Sequence, residues 1–161
     1  MSDHVILRPY DPNDFEWLVN LHRQHYAKAE GFDETFAPLV ASILKAFEAE
    51  HDPTCERGWI AMQGETRLGS IFCVRLDEQT AKLRLFILSS EARGKGLGKR
   101  LLENCMRFAK DAGYARMHLW THESHRAACA LYQKAGWTCV SSKPVHSFGV
   151  DLIEQSWEVT L

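Results

Sequence analysis

No stretch of this chain is apolar over the ~20 residues that a membrane-crossing helix needs, so a membrane span is not expected within its 161 residues. The opening segment Met1–Pro9 lacks the basic start and apolar stretch of a signal peptide. Charge of one sign is missing too: 19 Lys and Arg stand against 21 Asp and Glu, a formal net charge of −2. Non-specific nucleic-acid binding needs a strong basic footprint, so that class is set aside. No C-x-x-C pair occurs, and Cys55, Cys73, Cys105, Cys129 and Cys139 are scattered and odd in number. Buried or idle thiols in a reducing cytoplasm are their simplest account. Internal repeats, low-complexity segments and linkers are absent as well, which points to one domain over residues 1–161.

What is there has the balance of a soluble globular protein, with 45% hydrophobic and 25% charged residues. The length is enough to bury a core. Alternation over His4–Arg8 predicts a first strand, and the turn Asp11-Pro12-Asn13-Asp14 supplies capping groups for a helix over Phe15–Ala29 that Gly31 stops. Apolar residues at helical spacing predict a second helix over Thr35–Glu50. The period then changes. Strands are predicted at Trp59–Gln63, Arg67–Leu76 and Thr80–Leu88, a helix at Leu97–Asp111, a strand at Arg116–Trp120, a helix at Ser124–Ala135, and strands at Trp137–Ser141 and Glu154–Leu161. The order β-α-α-β-β-β-α-β-α-β-β, hairpins first and a β-α-β crossover later, implies an α/β (α+β) fold. Its sheet is mixed and mostly antiparallel, with helices on both faces.

The chemistry concentrates after the strand ending at Leu88. There Arg93-Gly94-Lys95-Gly96-Leu97-Gly98-Lys99-Arg100 places three alternating glycines before an amphipathic helix. Glycine permits backbone conformations and close approaches that a β-carbon obstructs. The first amides of a helix have no partner within it, and with the helix dipole they bind phosphate. Arg93, Lys95, Lys99 and Arg100 add positive charge, so a pyrophosphate-bearing ligand fits. The spacing is neither that of a Walker loop nor the G-x-G-x-x-G of a dinucleotide fold.

Arg93, Gly96 and Gly98 match the Q/R-x-x-G-x-G/A pattern of the GCN5-related N-acetyltransferase (GNAT) superfamily. Downstream, Ala128-x-x-Leu131-Tyr132-x-Lys134-x-Gly136-Trp137 resembles a second motif of that superfamily, and the predicted element order matches it over nearly the whole chain. Ser90 stands where members often have proline, and His125 where they often have asparagine. The resemblance implies an acetyl-CoA-dependent acetyltransferase that moves the acetyl group directly to a primary amine of a small molecule or peptide. It implies a sheet splayed between the Thr80–Leu88 and Arg116–Trp120 strands. Free amides near Ile87, Leu88 and Ser89 would hold the pantetheine arm. Those of Gly94, Lys95, Gly96, Leu97, Gly98 and Lys99, with Arg93, would hold the pyrophosphate. Tyr132 would protonate the departing thiolate, as a phenol protonated at neutral pH can. The alternative function is a non-catalytic acetyl-CoA sensor or partner module. Self-association into a homodimer is left open. More narrowly, Tyr26–Val40 and His146-Ser147-Phe148-Gly149 resemble acetyltransferase domains fused behind MarR-type regulators, although no regulator is recognised in these residues.

His118, His122 and His125 have the spacing of a helical metal site. His118 falls on a predicted strand and His122 in the loop after it, which breaks the helical geometry, so no metal is expected. His22 and His25 are read as surface or acceptor-pocket residues. Glu34, Asp33 and Glu123 are candidate general bases, and Glu34 is also a candidate for binding the acceptor. On the Thr80–Leu88 strand, simple alternation puts Lys82, Arg84 and Phe86 on the face opposite Leu83, Leu85 and Ile87. From there Arg84 is expected to clamp a carboxylate on the acceptor.

Overall fold

Strands buried on both faces, as over residues 58–61 and 68–73, need a sheet covered on both sides, and the chain builds one from seven strands. The computed structural model describes residues 4–161. In chain order it contains β1 (Val5–Pro9), α1 (Phe15–Glu30), α2 (Phe36–Glu50), β2 (Arg57–Gln63), β3 (Thr66–Arg75) and β4 (Thr80–Leu88). These are followed by α3 (Leu97–Asp111), β5 (Arg116–His122), α4 (Arg126–Lys134), β6 (Thr138–Ser147) and β7 (Val150–Thr160). The strands lie in the order β1-β2-β3-β4-β5-β7-β6. All neighbours are antiparallel except β4 and β5. Among the described residues no helix is long and apolar enough to cross a membrane.

The expected element order holds, and β4 and α3 keep their expected bounds. Two differences affect the site. β5 continues through His122 rather than stopping at Trp120, because Thr121 and His122 pair with Gln155 and Glu154 of β7. β6 continues to Ser147 and β7 begins at Val150, so His146–Gly149 closes a long hairpin. At its tip Phe148 sits at φ 56 and Gly149 at φ 78.

Each face of the sheet has its own core. On one side Leu97, Leu101, Leu102, Cys105 and Ala109 of α3 pack on Ile71, Met117, Leu119 and Trp157. On the other, Leu18 and Leu44 of α1 and α2 pack on Ile60, Phe72 and Ile87. Fully burying each of these leucines stabilises the fold by roughly 2 kcal/mol.

The parallel pairing of β4 with β5 is short. It joins Thr80–Lys82 to Arg116–His118 and ends there. On its other side, β4 carries a bulge against β3: Ser70 opposes Ile87 and Phe72 opposes Arg84, leaving Leu85 and Phe86 against Ile71 alone. Leu85 adopts φ 49, an uncommon conformation for a branched residue. The buried Ser70 hydroxyl donates to its carbonyl at 2.6 Å. The bulge bends β4 away from β5, and the sheet opens from Leu83 onward.

The bulge also overturns the simple alternation expected along β4. Leu83, Phe86 and Leu88 pack on the α3 side, whereas Leu85 and Ile87 join the α1–α2 core. Arg84 contacts the α2 side together with Leu85. Two consecutive side chains share a face because one extra residue has been inserted, and Phe86 is separated from Arg84.

A buried carboxylate ties the start of the chain to this frame. Asp14 is fully buried and accepts two hydrogen bonds from Arg8 (2.8 Å each), one from Arg67 Nε (2.8 Å) and one from the Asp11 amide (2.9 Å). Burial alone would raise its pKa, but the hydrogen bonds from Arg8, Arg67 and Asp11 outweigh it and hold it at about 2. A carboxylate depressed in the folded state stabilises above its unfolded pKa, near 3.8, and loses that stabilisation as pH falls toward 2. Asp14→Asn is expected to lower unfolding free energy by about 3 kcal/mol at pH 7. Urea unfolding of wild type and variant should converge as the pH is taken from 5 to 2.5. A constant difference would show that the charge is not the source.

Candidate active site

Where β4 and β5 part, a cavity of about 710 Å³ opens between α1, α2, β4, the glycine loop and α4. That volume is within the range of small-molecule sites. The glycine loop forms one end. After a short 3-10 turn at Ser90–Ala92, Gly94 and Gly96 sit at φ 76 and 75, and α3 starts from Gly96. A β-carbon built on either glycine meets no protein atom within 4 Å, so their backbone lies open and glycine is required there for conformation. Gly98 differs: a β-carbon there would lie 3.0 Å from Leu131 Cδ1, so this glycine lets α3 approach α4.

The expected site residues divide into those that line the cavity and those that do not. Arg84, Ile87, Leu88, Arg93, Gly94, Gly96, Leu97, Gly98, Lys99 and Tyr132 line it. Ser89, Lys95 and Glu34 do not. The Ser89 amide is not free, because it donates to the Leu68 carbonyl at 2.8 Å. Lys95 is exposed and outside the lining. Glu34 is exposed in the turn before α2, and Asp33 beside it is engaged by the Thr35 amide and hydroxyl. Glu123 is exposed outside the lining as well. None of the three expected bases therefore faces the cavity.

The positive charge is also distributed differently from expectation. Arg93 turns across the cleft, donating to His25 Nδ1 at 2.9 Å and to the Leu88 carbonyl at 3.3 Å. Arg100 donates to the Val5 carbonyl at 2.6 Å and braces β1. Lys99 remains on the cavity rim, 3.8 Å from Glu103. Arg84 is half-buried with no carboxylate partner among the described residues, and burial lowers its pKa. Lys82 stacks over Trp120 at 3.7 Å, its pKa lowered to about 8 by burial and then by Arg84.

Tyr132 lies in the middle of the opposite wall, 4% exposed. Its ring packs among Phe86, Trp137 and Trp157 with centroids 6.2, 5.7 and 6.1 Å away. Burial, followed by the nearby Tyr26, Cys129 and Cys105, pushes its pKa up, so the phenol keeps its proton at any physiological pH.

The wall contributed by α1, the end of β5 and the start of α4 is the part that motif reasoning missed. His22, Tyr26 and Glu30 recur every fourth residue of α1, and that spacing is the signal that could have revealed it. They meet His122 and His125, and all five line the cavity. Glu30 accepts the Ser124 hydroxyl at 2.5 Å and its other oxygen lies 3.9 Å from His125 Nε2. Phe32 and Phe36 back this wall and are clasped by the β6–β7 hairpin. Phe148 stacks 4.8 and 5.0 Å from them, and its carbonyl accepts from the Asp33 amide at 2.9 Å. His118 and His122 are four residues apart on an extended strand, roughly 13 Å, so the three histidines cannot share an ion.

The splayed parallel pair, the bare glycine loop at a helix start and a buried tyrosine on the facing helix form one cavity, and the sequence matches a family with that arrangement over residues 16–137. The chain belongs to the acetyltransferase (GNAT) family. Human N-acetyltransferase 8 is 32% identical over 112 residues, which are 66% of this chain and 48% of that protein. Human N-acetyltransferase 8B is 35% identical over 83 residues, 48% of this chain and 37% of that one. The chain thus matches less than half the length of these relatives. GNAT structures superpose over almost the whole chain. An acetyltransferase from Streptococcus agalactiae has a TM-score of 0.81 at 24% identity, with 99% of each chain covered. A Salmonella typhimurium acetyltransferase solved with its cofactor acetyl-CoA gives 0.79 at 17%, covering 98% of this chain and 94% of that one. Spermidine N-acetyltransferase from Vibrio cholerae, in complex with CoA and spermine, gives 0.73 at 14%, covering 97% and 95%.

The histidine wall makes a stability prediction. The buried His22 donates its Nδ1 hydrogen to the Leu18 carbonyl at 2.8 Å, and burial lowers its pKa to about 4. A group with a depressed folded pKa contributes fully above its unfolded value, near 6.5, and less as pH falls toward 4. The loss should reach about 3 kcal/mol across that window. Urea unfolding between pH 7 and 4 should be shallower in its pH dependence, by about one proton, for His22→Leu. An unchanged slope would assign the dependence to other histidines.

Proposed function

We propose that this domain is an acetyl-CoA-dependent N-acetyltransferase that passes the acetyl group directly from the thioester to a primary amine. The observation that carries the reading is Tyr132: a buried, protonated phenol across one cavity from an open glycine loop at a helix start. The fit to acetyl-CoA rests on chemistry that the residues themselves supply. Open backbone at Gly94 and Gly96, with the first amides of α3, suits a pyrophosphate. The edge of β4 beyond Lys82 lacks a strand partner and suits the amide groups of a pantetheine arm. When bound, acetyl-CoA supplies the activated acetyl group.

The chain's own residues then have distinct tasks. Unpaired backbone amides along the β4 edge polarise the thioester carbonyl, an effect strongest where water is excluded. The amine attacks the carbonyl carbon, the carbon–sulfur bond breaks, and Tyr132 gives its proton to the leaving thiolate. Its raised pKa keeps the proton in place beforehand. Burial of the ring among Phe86, Trp137 and Trp157 fixes its direction.

The acceptor is a small amine that also carries a carboxylate. Arg84 supports this, because a half-buried guanidinium without a carboxylate partner at the bulge is ready to pair with an anion. The finer likeness to acetyltransferase domains fused behind MarR-type regulators rests on the two sequence segments alone, whose Phe148, Phe32 and Phe36 rings pack together in the fold. The free thiols fit residence in the cytoplasm, in a single domain.

Free thiol released from acetyl-CoA should appear with at least one member of a panel of amino acids, polyamines, aminoglycosides and peptides. No release with any amine, from folded protein that binds acetyl-CoA, would favour a sensor module instead. Tyr132→Phe should lower kcat by about 10²–10⁴-fold while calorimetry finds acetyl-CoA affinity nearly unchanged. Full turnover, measured where chemistry is rate-limiting, would return Tyr132 to packing.

A free amino acid should also be acetylated faster than its amide, and Arg84→Ala should raise KM for the acid alone. Equal rates for acid and amide would remove the carboxylate clamp and leave the acetyl transfer untouched.

A further inference from the structure

We infer that Glu30 and His125 together form the seat of the acceptor's amino group, and that His125 Nε2 takes the proton the amine loses. The inference rests on the acetyl-transfer reading and deepens it, because it locates the proton acceptor that Asp33, Glu34 and Glu123 are too remote to provide.

The geometry begins with two acceptor atoms facing each other across a gap. Glu30 Oε2 and His125 Nε2 lie 3.9 Å apart, too far for a good hydrogen bond between them. His125 Nε2 is buried with no hydrogen-bond partner among the described residues. A single nitrogen about 2.9 Å from both atoms would close the triangle and satisfy both. Both residues line the cavity that also holds Tyr132.

The surroundings hold each group in the form the task needs. Ser124 donates to Glu30 Oε1 at 2.5 Å, which fixes the carboxylate and leaves Oε2 toward the gap. Thr121 Oγ1 lies 3.1 Å from His125 Nδ1. With the ring hydrogen on Nδ1 and donated to that oxygen, Nε2 carries the lone pair. Burial favours the neutral ring and so does the proximity of His122 and His25, while Glu30 opposes them. The other titratable groups around the seat are Tyr26 and His25 from α1 and His122 from the end of β5, with ring centroids of Tyr26 and His122 5.1 and 5.3 Å from His125.

The chemistry balances. A protonated amine binds through the Glu30 carboxylate and loses one proton to solvent before it attacks. Its lone pair forms the carbon–nitrogen bond, and the carbonyl π pair moves onto oxygen. The nitrogen, now positive, passes a proton to His125 Nε2. The oxygen pair then returns, the carbon–sulfur bond breaks, and the thiolate takes the Tyr132 proton. Imidazolium and phenolate reset by exchange with solvent, leaving amide and free thiol. The aromatic wall behind the seat, Tyr26, Phe32 and Phe36, suits an amine on an aromatic or apolar carrier and adds cation–π attraction to the charged form.

The test uses phenylalanine, a primary amine with both an aromatic carrier and a carboxylate, as the probe and reads binding separately from turnover. In ¹⁵N-labelled protein saturated with CoA, its addition should move the His125 ring nitrogens along a saturable curve. Glu30→Gln should weaken that curve at least tenfold while CoA affinity, measured by calorimetry, stays as in wild type. In thiol release with the same amine, Glu30→Gln should act mainly on KM and His125→Asn mainly on kcat. Stationary His125 signals in wild type, or a Glu30→Gln titration matching wild type, would overturn the seat. Absence of thiol release from any amine would instead strike the acetyl-transfer reading, and the ring titration would still decide the seat.

Discussion

The cavity between β4 and β5 depends on one inserted residue in β4. A strand with regular pleat would pair with β3 and β5 along its full length and close the sheet. The bulge at Leu85 and Phe86 forbids that, so β4 leaves β5 after Lys82. Leu85 pays in backbone strain, on the order of 1–3 kcal/mol for a non-glycine residue in this region. The buried Ser70 hydroxyl on its carbonyl offsets part of that cost. The result is a cavity through the sheet, with strand-edge backbone on one side and side chains of both faces reaching in. The same insertion turns Arg84 toward α2 and Phe86 toward Tyr132, so one defect orients the candidate anion clamp and packs the candidate acid.

The two halves of the cavity are built from different material. Toward α3 it is backbone: glycines at positive φ, helix-start amides and an unpaired strand edge. Toward α1 and the start of α4 it is side chains: imidazoles, one carboxylate and aromatic rings. Arg93 joins them through His25, drawing the glycine loop to α1. Of the loop's cations, Arg93 is engaged across the cleft, Lys99 lines the cavity and Lys95 is exposed outside the lining. On the proposed reading, helix-start dipoles that need no reorganisation would meet the phosphates. The side-chain half carries polar nitrogens without partners, which is costly unless a ligand satisfies them.

This division explains what was legible in the sequence. Backbone function leaves a local trace, because only glycine tolerates φ near +75° and it must recur at fixed steps before a helix. Gly94 and Gly96, with the strand before and the helix after, could therefore be located from one short window. Tyr132 was legible because its neighbours Ala128, Leu131 and Gly136 set a helix and its stop. The acceptor wall draws on residues 22–36, 121–125 and 148, which no window spans. Only the sheet order and the long β6–β7 hairpin bring them together. The expected bases lie outside the lining for that reason: Asp33 and Glu34 are exposed in the turn before α2, while Glu30 one turn earlier lines the cavity. The bulge was illegible too, since nothing in Leu83–Leu88 marks where alternation should slip. It is set by Ser70 and by the pairing of a distant strand.

His125 shows how a departure from a motif carries information that the match does not. Asparagine at the start of α4 offers an amide, a donor and an acceptor that never titrates. An imidazole there keeps one nitrogen to anchor, on Thr121, and frees the other as a lone pair beside Glu30. An asparagine could bridge the same distance, but it could not hold a proton. Histidine at this place therefore adds chemistry to a position that elsewhere offers only hydrogen bonding. The addition depends on Glu30, because an isolated buried imidazole gains nothing from facing an apolar wall. That dependence accounts for the shared face of Tyr26 and Glu30 on α1. The hairpin tip at Phe148 packs on Phe32 and Phe36 behind them.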